Sequence, residues 1–242
     1  MRALLAPDIV RMWEVGRDQA PIERAISLLA IASTESSRAE LRALPVSRRD
    51  SQLLELRKRT FGDALNAFSK CPQCAGRLEI RFATTAIKSS DGESPGILEI
   101  TSDGTTVRFR LPTSIDLAET IAGENIDQAS EALFSRCVIE ARKDGEMVGS
   151  HELPQEVREE INRCMATADP AAEVLLNLQC PLCTHSWQAF FDIASFFWTE
   201  ISAHARRLLH EVDALARIYG WSEAEILGLS AVRRQAYLEL IA

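Results

Sequence analysis

Apolar residues recur at helical spacing early in the chain, at strand spacing in the middle, and at helical spacing again toward the end. Pro21-Ile22-Glu23 opens a segment in which Ile22, Ile26, Leu29 and Ala30 share one helical face. Pro21 suits its first turn, where a missing N–H costs nothing. The polar run from Ser33 to Ser37 closes that segment. A second helix is expected from Ser47 to Phe68, with Leu53, Leu54, Leu56, Leu65 and Phe68 facing a core. Ser47 is its candidate cap, and Asp50 adds favourable first-turn charge.

The period then changes. Arg77-Leu78-Glu79-Ile80-Arg81-Phe82 alternates, which predicts a half-buried strand with Leu78, Ile80 and Phe82 inward. A polar stretch from Lys88 to Gly96 reads as a mobile loop. Ile97–Thr101 and Thr106–Leu111 flank Ser102-Asp103-Gly104-Thr105, and Asp-Gly suits a tight hairpin. Residues 113–168 read as mainly helical. Thr113 or Ser114 caps Ile115–Ile121, a helix is expected from Ile126 to Arg142, Asp144-Gly145 turns, and Pro154 to Ala168 forms another helix. Strands are expected at Glu173–Leu178 and Ser186–Phe191. Asp192 then caps a long helix carrying Ile193, Phe196, Phe197, Ile201, Ala205, Leu208, Leu209, Val212, Leu215, Ala216 and Tyr219, and Gly220 ends it. Ser222-Glu223-Ala224-Glu225 is a capping box, and Ser230 caps a final helix.

Two Cys-Pro-x-Cys turns, Cys71-Pro72-Gln73-Cys74 and Cys180-Pro181-Leu182-Cys183, interrupt this pattern. Each points two sulfurs at one place. Together they supply the four ligands of a closed tetrahedral Zn²⁺ site, with no position left for water or substrate, so one structural ion is expected on Cys71, Cys74, Cys180 and Cys183. Reduced metal-free turns and a redox pair are the alternatives, and a thioredoxin-type motif needs a βαβ setting that the flanks do not suggest. His185, two residues beyond Cys183, could substitute as a ligand, but four thiolates already complete the shell, so a role outside the coordination shell or on the surface is expected. Cys137 and Cys164 stand singly in helical stretches and read as small buried residues. The resulting fold class is α+β, mainly helical, with a small antiparallel zinc-ribbon-like sheet built around the two knuckles. The expected partition is a helical region over 1–70, the ribbon with a helical insertion over 71–191, and C-terminal helices over 192–242, folding as one cooperative unit.

The chain has 242 residues and a formal net charge of −8. That balance argues against a protein whose task is to grip nucleic acid, which needs a concentrated basic surface. Arg48-Arg49, Arg57-Lys58-Arg59, Arg206-Arg207 and Arg233-Arg234 read as solvated helix faces. No run approaches the roughly 20 apolar residues of a membrane span, and Met1–Ala6 is too short for a secretory h-region; a cytoplasmic chain is expected, where paired cysteines favour metal over disulfide. Gly-x-Ser-x-Gly, Walker, Gly-x-Gly-x-x-Gly and His-Glu-x-x-His patterns are absent, which points away from an enzyme. The aromatic group Trp187, Phe190, Phe191, Phe196, Phe197 and Trp198 reads chiefly as core, with part of it available as a partner surface.

The runs Cys180-Pro181-Leu182-Cys183-Thr184-His185-Ser186-Trp187, Phe191-Asp192-Ile193, Phe197-Trp198-x-Glu200-Ile201, Arg207-Leu208-Leu209-x-Glu211-Val212, Tyr219-Gly220-Trp221-Ser222-Glu223 and Arg233-Arg234-x-x-Tyr237-Leu238 resemble the baseplate-protein family of contractile-tailed phages and related contractile injection systems, which is grouped with the hub assembly chaperone of T-even phages. Leu44-Pro45-Val46-x-x-Arg49-Asp50 through Phe61-Gly62 is similar to it as well, whereas the polar stretch near Ser89–Gly96 is not matched. The resemblance implies assembly of, or residence in, a baseplate hub, with hub, spike or other tail proteins as partners. The competing reading is a zinc-ribbon nucleic-acid-binding or regulatory protein.

Overall fold

The computed structural model describes residues 1–33, 35–87, 95–120 and 125–241. Helices α1 (Ala6–Gly16), α2 (Pro21–Ala32), α3 (Arg38–Ala43) and α4 (Val46–Phe61) come first, followed by strands β1 (Ala64–Lys70), β2 (Arg77–Ala83), β3 (Leu98–Ser102) and β4 (Thr105–Phe109). Helices α5 (Ser114–Thr120) and α6 (Ile126–Cys137) lead to β5 (Val138–Lys143), β6 (Glu146–Met147), α7 (Gln155–Ala168), β7 (Leu175–Gln179) and β8 (Ser186–Phe190). The chain closes with α8 (Ile193–Tyr219), α9 (Glu223–Gly228) and α10 (Ala231–Glu239). Helices and small antiparallel sheets both contribute, as the α+β reading expects. The polar run Lys88–Ser94 and the expected helix end at Ile121 lie outside the described residues.

The chain divides into two compact units, and the boundary falls inside α4. One unit comprises Met1–Ser36, Leu53–Asp63 and Asp192–Ala242; the other comprises Ser37–Gln52 and Ala64–Phe191.

In the first unit α8 is the organising element. Its 27 residues begin at the expected cap, where Asp192 Oδ1 accepts from the N–H groups of Ala194 (2.9 Å) and Ser195 (3.2 Å). They end at Gly220, whose φ of 67° is the left-handed geometry that glycine adopts without strain. Ile193, Phe197, Ile201, Ala205, Leu208 and Leu215 are buried along one stripe, and α1 and α2 pack on this helix. Ile26, Leu28, Leu29, Leu53 and Leu56 of the same unit are also fully buried. Each such side chain contributes about 1.5–3 kcal/mol relative to exposure. The expected capping box closes with Ser222 accepting from Glu225 N–H, and Ser230 caps α10.

In the second unit β3–β4–β5–β6 form an antiparallel sheet. Its inner face and α6 and α7 bury Val107, Phe109, Phe134, Ala141, Val157 and Ile161. Asp103-Gly104 and Asp144-Gly145 make its tight turns with positive φ at all four residues, the geometry that favours Asp-Gly in hairpins. Thr113 caps α5 through a reciprocal pairing with Asp116.

Three expectations need correction. The helix expected to reach Phe68 stops at Phe61, where Gly62 turns at φ 90°. Leu65 stays buried but Phe68, expected in the core, is 79 % exposed on β1. The helix expected through Arg142 stops at Cys137, because Val138–Lys143 pairs with β4. The third concerns the basic pairs. Arg49, Arg57 and Arg234 are buried rather than solvated. Arg57 is held by Glu200 and the Gly62 carbonyl, Arg234 by Glu211 and the Leu229 carbonyl, and Arg49 by Asp50 and Ser114. A carboxylate or carbonyl facing each guanidinium satisfies its donors, which is what makes such burial tolerable.

No helix among the described residues is long and apolar enough to cross a membrane.

Candidate metal centre

Each knuckle is the end of a two-stranded hairpin. β1 and β2 pair down to Lys70 opposite Arg77, and Cys71–Gly76 forms the turn. β7 and β8 pair down to Gln179 opposite Ser186, and Cys180–His185 forms the turn. No ladder joins the two hairpins among the described residues. The turns are built alike. The first cysteine's N–H donates to the carbonyl five residues on (Cys71 to Gly76, Cys180 to His185, both 2.9 Å). Its carbonyl accepts from the residue four on (Ala75 and Thr184, both 2.9 Å). Ala75 and Thr184, each just after a second cysteine, both take positive φ, 55° and 59°. That reversal brings the next N–H groups onto sulfur, Gly76 onto Cys74 and His185 onto Cys183.

The four sulfurs converge. Their Sγ atoms all lie within 4.8 Å of one another, with Cys71 to Cys183 and Cys74 to Cys180 each at 3.6 Å. Four thiolates about 2.3 Å from a tetrahedral ion stand about 3.8 Å apart, so the spacing fits a four-sulfur ion site. Cys71 and Cys180 are buried, packed with Leu78 and flanked by Ile80 and Trp187; Cys74 is exposed. The turns also touch, since a Cβ on Gly76 would lie 2.7 Å from Leu182 Cδ1.

Burial opposes charge on Cys180, yet the N–H groups of Cys183 and Leu182 outweigh it and pull that thiol down to about 7. On Cys183 the His185 N–H favours the thiolate, but burial and the other three sulfurs push the thiol up to about 12. A cation bound among clustered thiols would favour their deprotonation.

All four cysteines expected at the site are therefore together. His185 is not in the mutual cluster; its ring stacks on Trp187, 6.0 Å between centroids. Cys137 is buried as expected, with its thiol pushed up to about 11 by burial and by Asp116, while Cys164 is half-buried against the sheet core. His204 stacks on Phe61, and burial lowers its pKa. What the sequence reading missed is β1, the leading strand of the first hairpin.

A family model described as T4 bacteriophage base plate protein matches residues 4–198. The chain belongs to this family. The matched span includes both knuckles and both hairpins of this baseplate protein and stops within α8, so the Tyr219–Glu223 and Arg233–Leu238 runs lie beyond it. Comparison with curated proteins and with solved structures returned no match. Membership gives the chain a structural or assembly role in a phage baseplate and implies association with other tail or baseplate proteins.

Proposed function

We propose that this chain is a non-enzymatic, zinc-stabilised assembly chaperone or structural component of the baseplate hub of a phage tail or contractile injection system, acting in the cytoplasm during assembly. Cys71, Cys74, Cys180 and Cys183 hold one Zn²⁺, and its role is to fix geometry. The observation that carries this reading is that the family-matched span contains four sulfurs converging from hairpins more than a hundred residues apart. A four-thiolate shell has no open position, which favours a structural over a catalytic ion. Apparent zinc affinities of about 10–16 kcal/mol match or exceed the stability of an ordinary domain, so folding depends on the ion.

Affinity purification from producing cells tests the reading, with hub, spike or other tail proteins expected alongside the chain. Recovery of none of them contradicts it. Presence in purified particles assigns a resident component, and absence from particles assigns a chaperone. The nucleic-acid reading loses support from Arg49, Arg57 and Arg234, whose charges are committed to internal partners. Steeply salt-dependent DNA binding would restore it.

A further inference from the structure

The two knuckle hairpins share one architecture but not one surface. Counting from the first cysteine of each turn, Phe68, Lys70, Arg77 and Glu79 occupy the places of Asn177, Gln179, Ser186 and Gln188. Equivalent clefts lie on both hairpins. The first, of about 620 Å³, is lined by Phe68, Ser69, Lys70, Arg77, Leu78 and Glu79. The second is lined by uncharged polar side chains at all four corresponding positions, together with Leu178 and Trp187. The hairpin therefore stands without an aromatic ring or a charge at those places.

In the first hairpin Phe68 is 79 % exposed. Glu79 is neutralised by Arg81 at 2.9 Å, whereas Lys70 and Arg77 have no ion-pair partner among the described residues. The cleft thus presents an aromatic ring beside two uncompensated cations, in a chain whose net charge is −8. Exposed aromatic and arginine side chains are the types that dominate binding energy at protein interfaces. Both strands of this hairpin also lack a further ladder partner among the described residues, which leaves edges suited to an extended chain.

We propose that the β1–β2 cleft is the docking site for an extended acidic segment of a baseplate partner, with an apolar side chain on Phe68 and carboxylates on Lys70 and Arg77. Charge complementarity selects that occupant. A nucleic acid would need a longer basic track than two cations. The inference rests on the reading that the chain binds other baseplate proteins.

Site-specific photo-crosslinking in producing cells tests it, with p-benzoylphenylalanine replacing Phe68 and, as a control on the second hairpin, Asn177. The expected adduct at position 68 maps to a baseplate-protein peptide in which Asp and Glu outnumber Lys and Arg. Lys70→Glu with Arg77→Glu should cut its yield about tenfold or more, at unchanged metal content and melting temperature. An adduct to nucleic acid, to a second copy of this chain or to a neutral or basic peptide overturns the proposal. So does an absent adduct at 68, or a double variant that crosslinks as well as the parent. If baseplate proteins still copurify with the unaltered chain, such a result removes only this docking site; if none copurify, the underlying function fails as well.

Discussion

Arg57 and Glu200, 143 residues apart, meet in a two-pronged ion pair, Nε to Oε2 at 2.9 Å and Nη2 to Oε1 at 2.6 Å. The guanidinium side chain is 3 % exposed and the carboxylate 23 %. Removing one partner strands the other in a largely dry site, at a cost of about 3–5 kcal/mol. Glu200→Ala is therefore expected to lower the unfolding midpoint in urea strongly. The double variant Arg57→Met with Glu200→Leu should recover much of the loss, because no charge is left buried. A double variant as unstable as the single one would show that the pair is not the source of the effect.

The sulfur cluster makes a second prediction. Cys74→Ser and Cys183→Ser each remove one thiolate, and both variants should lose zinc and solubility. Elemental analysis and thermal melting check this, and a chelator should reproduce the effect in the parent chain until zinc is restored. Full metal content with unchanged melting in either variant would rule out a shared four-thiolate site.

Gly16 in α1 makes a third. A Cβ there would lie 2.5 Å from the Trp198 ring and 2.9 Å from Met12 Cε. That ring is also covered by the Arg24 guanidinium, 4.7 Å from its centroid, so it cannot move freely. Alanine is the better helix former by about 1 kcal/mol, yet Gly16→Ala is expected to destabilise by about 1–3 kcal/mol through overpacking. Urea unfolding followed by tryptophan fluorescence reads both the sign and the altered ring environment.

Asp116 sets a pH dependence. Burial opposes its charge, but Arg110, bound through two contacts of 2.6 and 2.8 Å, and Thr113 hold its carboxyl well below the usual carboxylate range. A depressed folded-state pKa contributes stability that is complete above the unfolded value of about 3.9 and lost as pH falls below it. Acidification from about pH 5 toward 2 should weaken the parent protein. In Asp116→Asn, which is less stable at pH 7, the part of this slope due to Asp116 should vanish. Parallel slopes in the two proteins would contradict the assignment.

Local chemistry made much of this molecule legible in advance. Asp192, Gly220, Ser222 and Ser230 act within a few residues of themselves, and each ends or starts a helix where the sequence places it. The knuckles are equally local, and their spacing was enough to name the four sulfurs. The failures are non-local. Ala64-Leu65-Asn66-Ala67-Phe68-Ser69-Lys70 contains no β-branched residue and fits a helical period as well as an alternating one. It is a strand because Arg77–Ala83 pairs with it. Val138–Lys143 follows a helix without a breaker, and β4 decides its conformation. The buried arginines were hidden for the same reason: nothing in the run Arg57-Lys58-Arg59 reveals a carboxylate 143 positions away. Phe68, expected in the core, is an exposed part of the first hairpin's cleft.

The sulfurs of Cys74 and Cys180 stand 3.6 Å apart in space but 106 residues apart along the chain. At about 5–20 residues per second, a ribosome needs roughly 5–20 s to travel from the first knuckle to the second. Through that interval the nascent polypeptide carries only one of the two knuckles, two of the four sulfurs that converge in the folded chain. The cluster can therefore form only after Cys183 has been added to the chain.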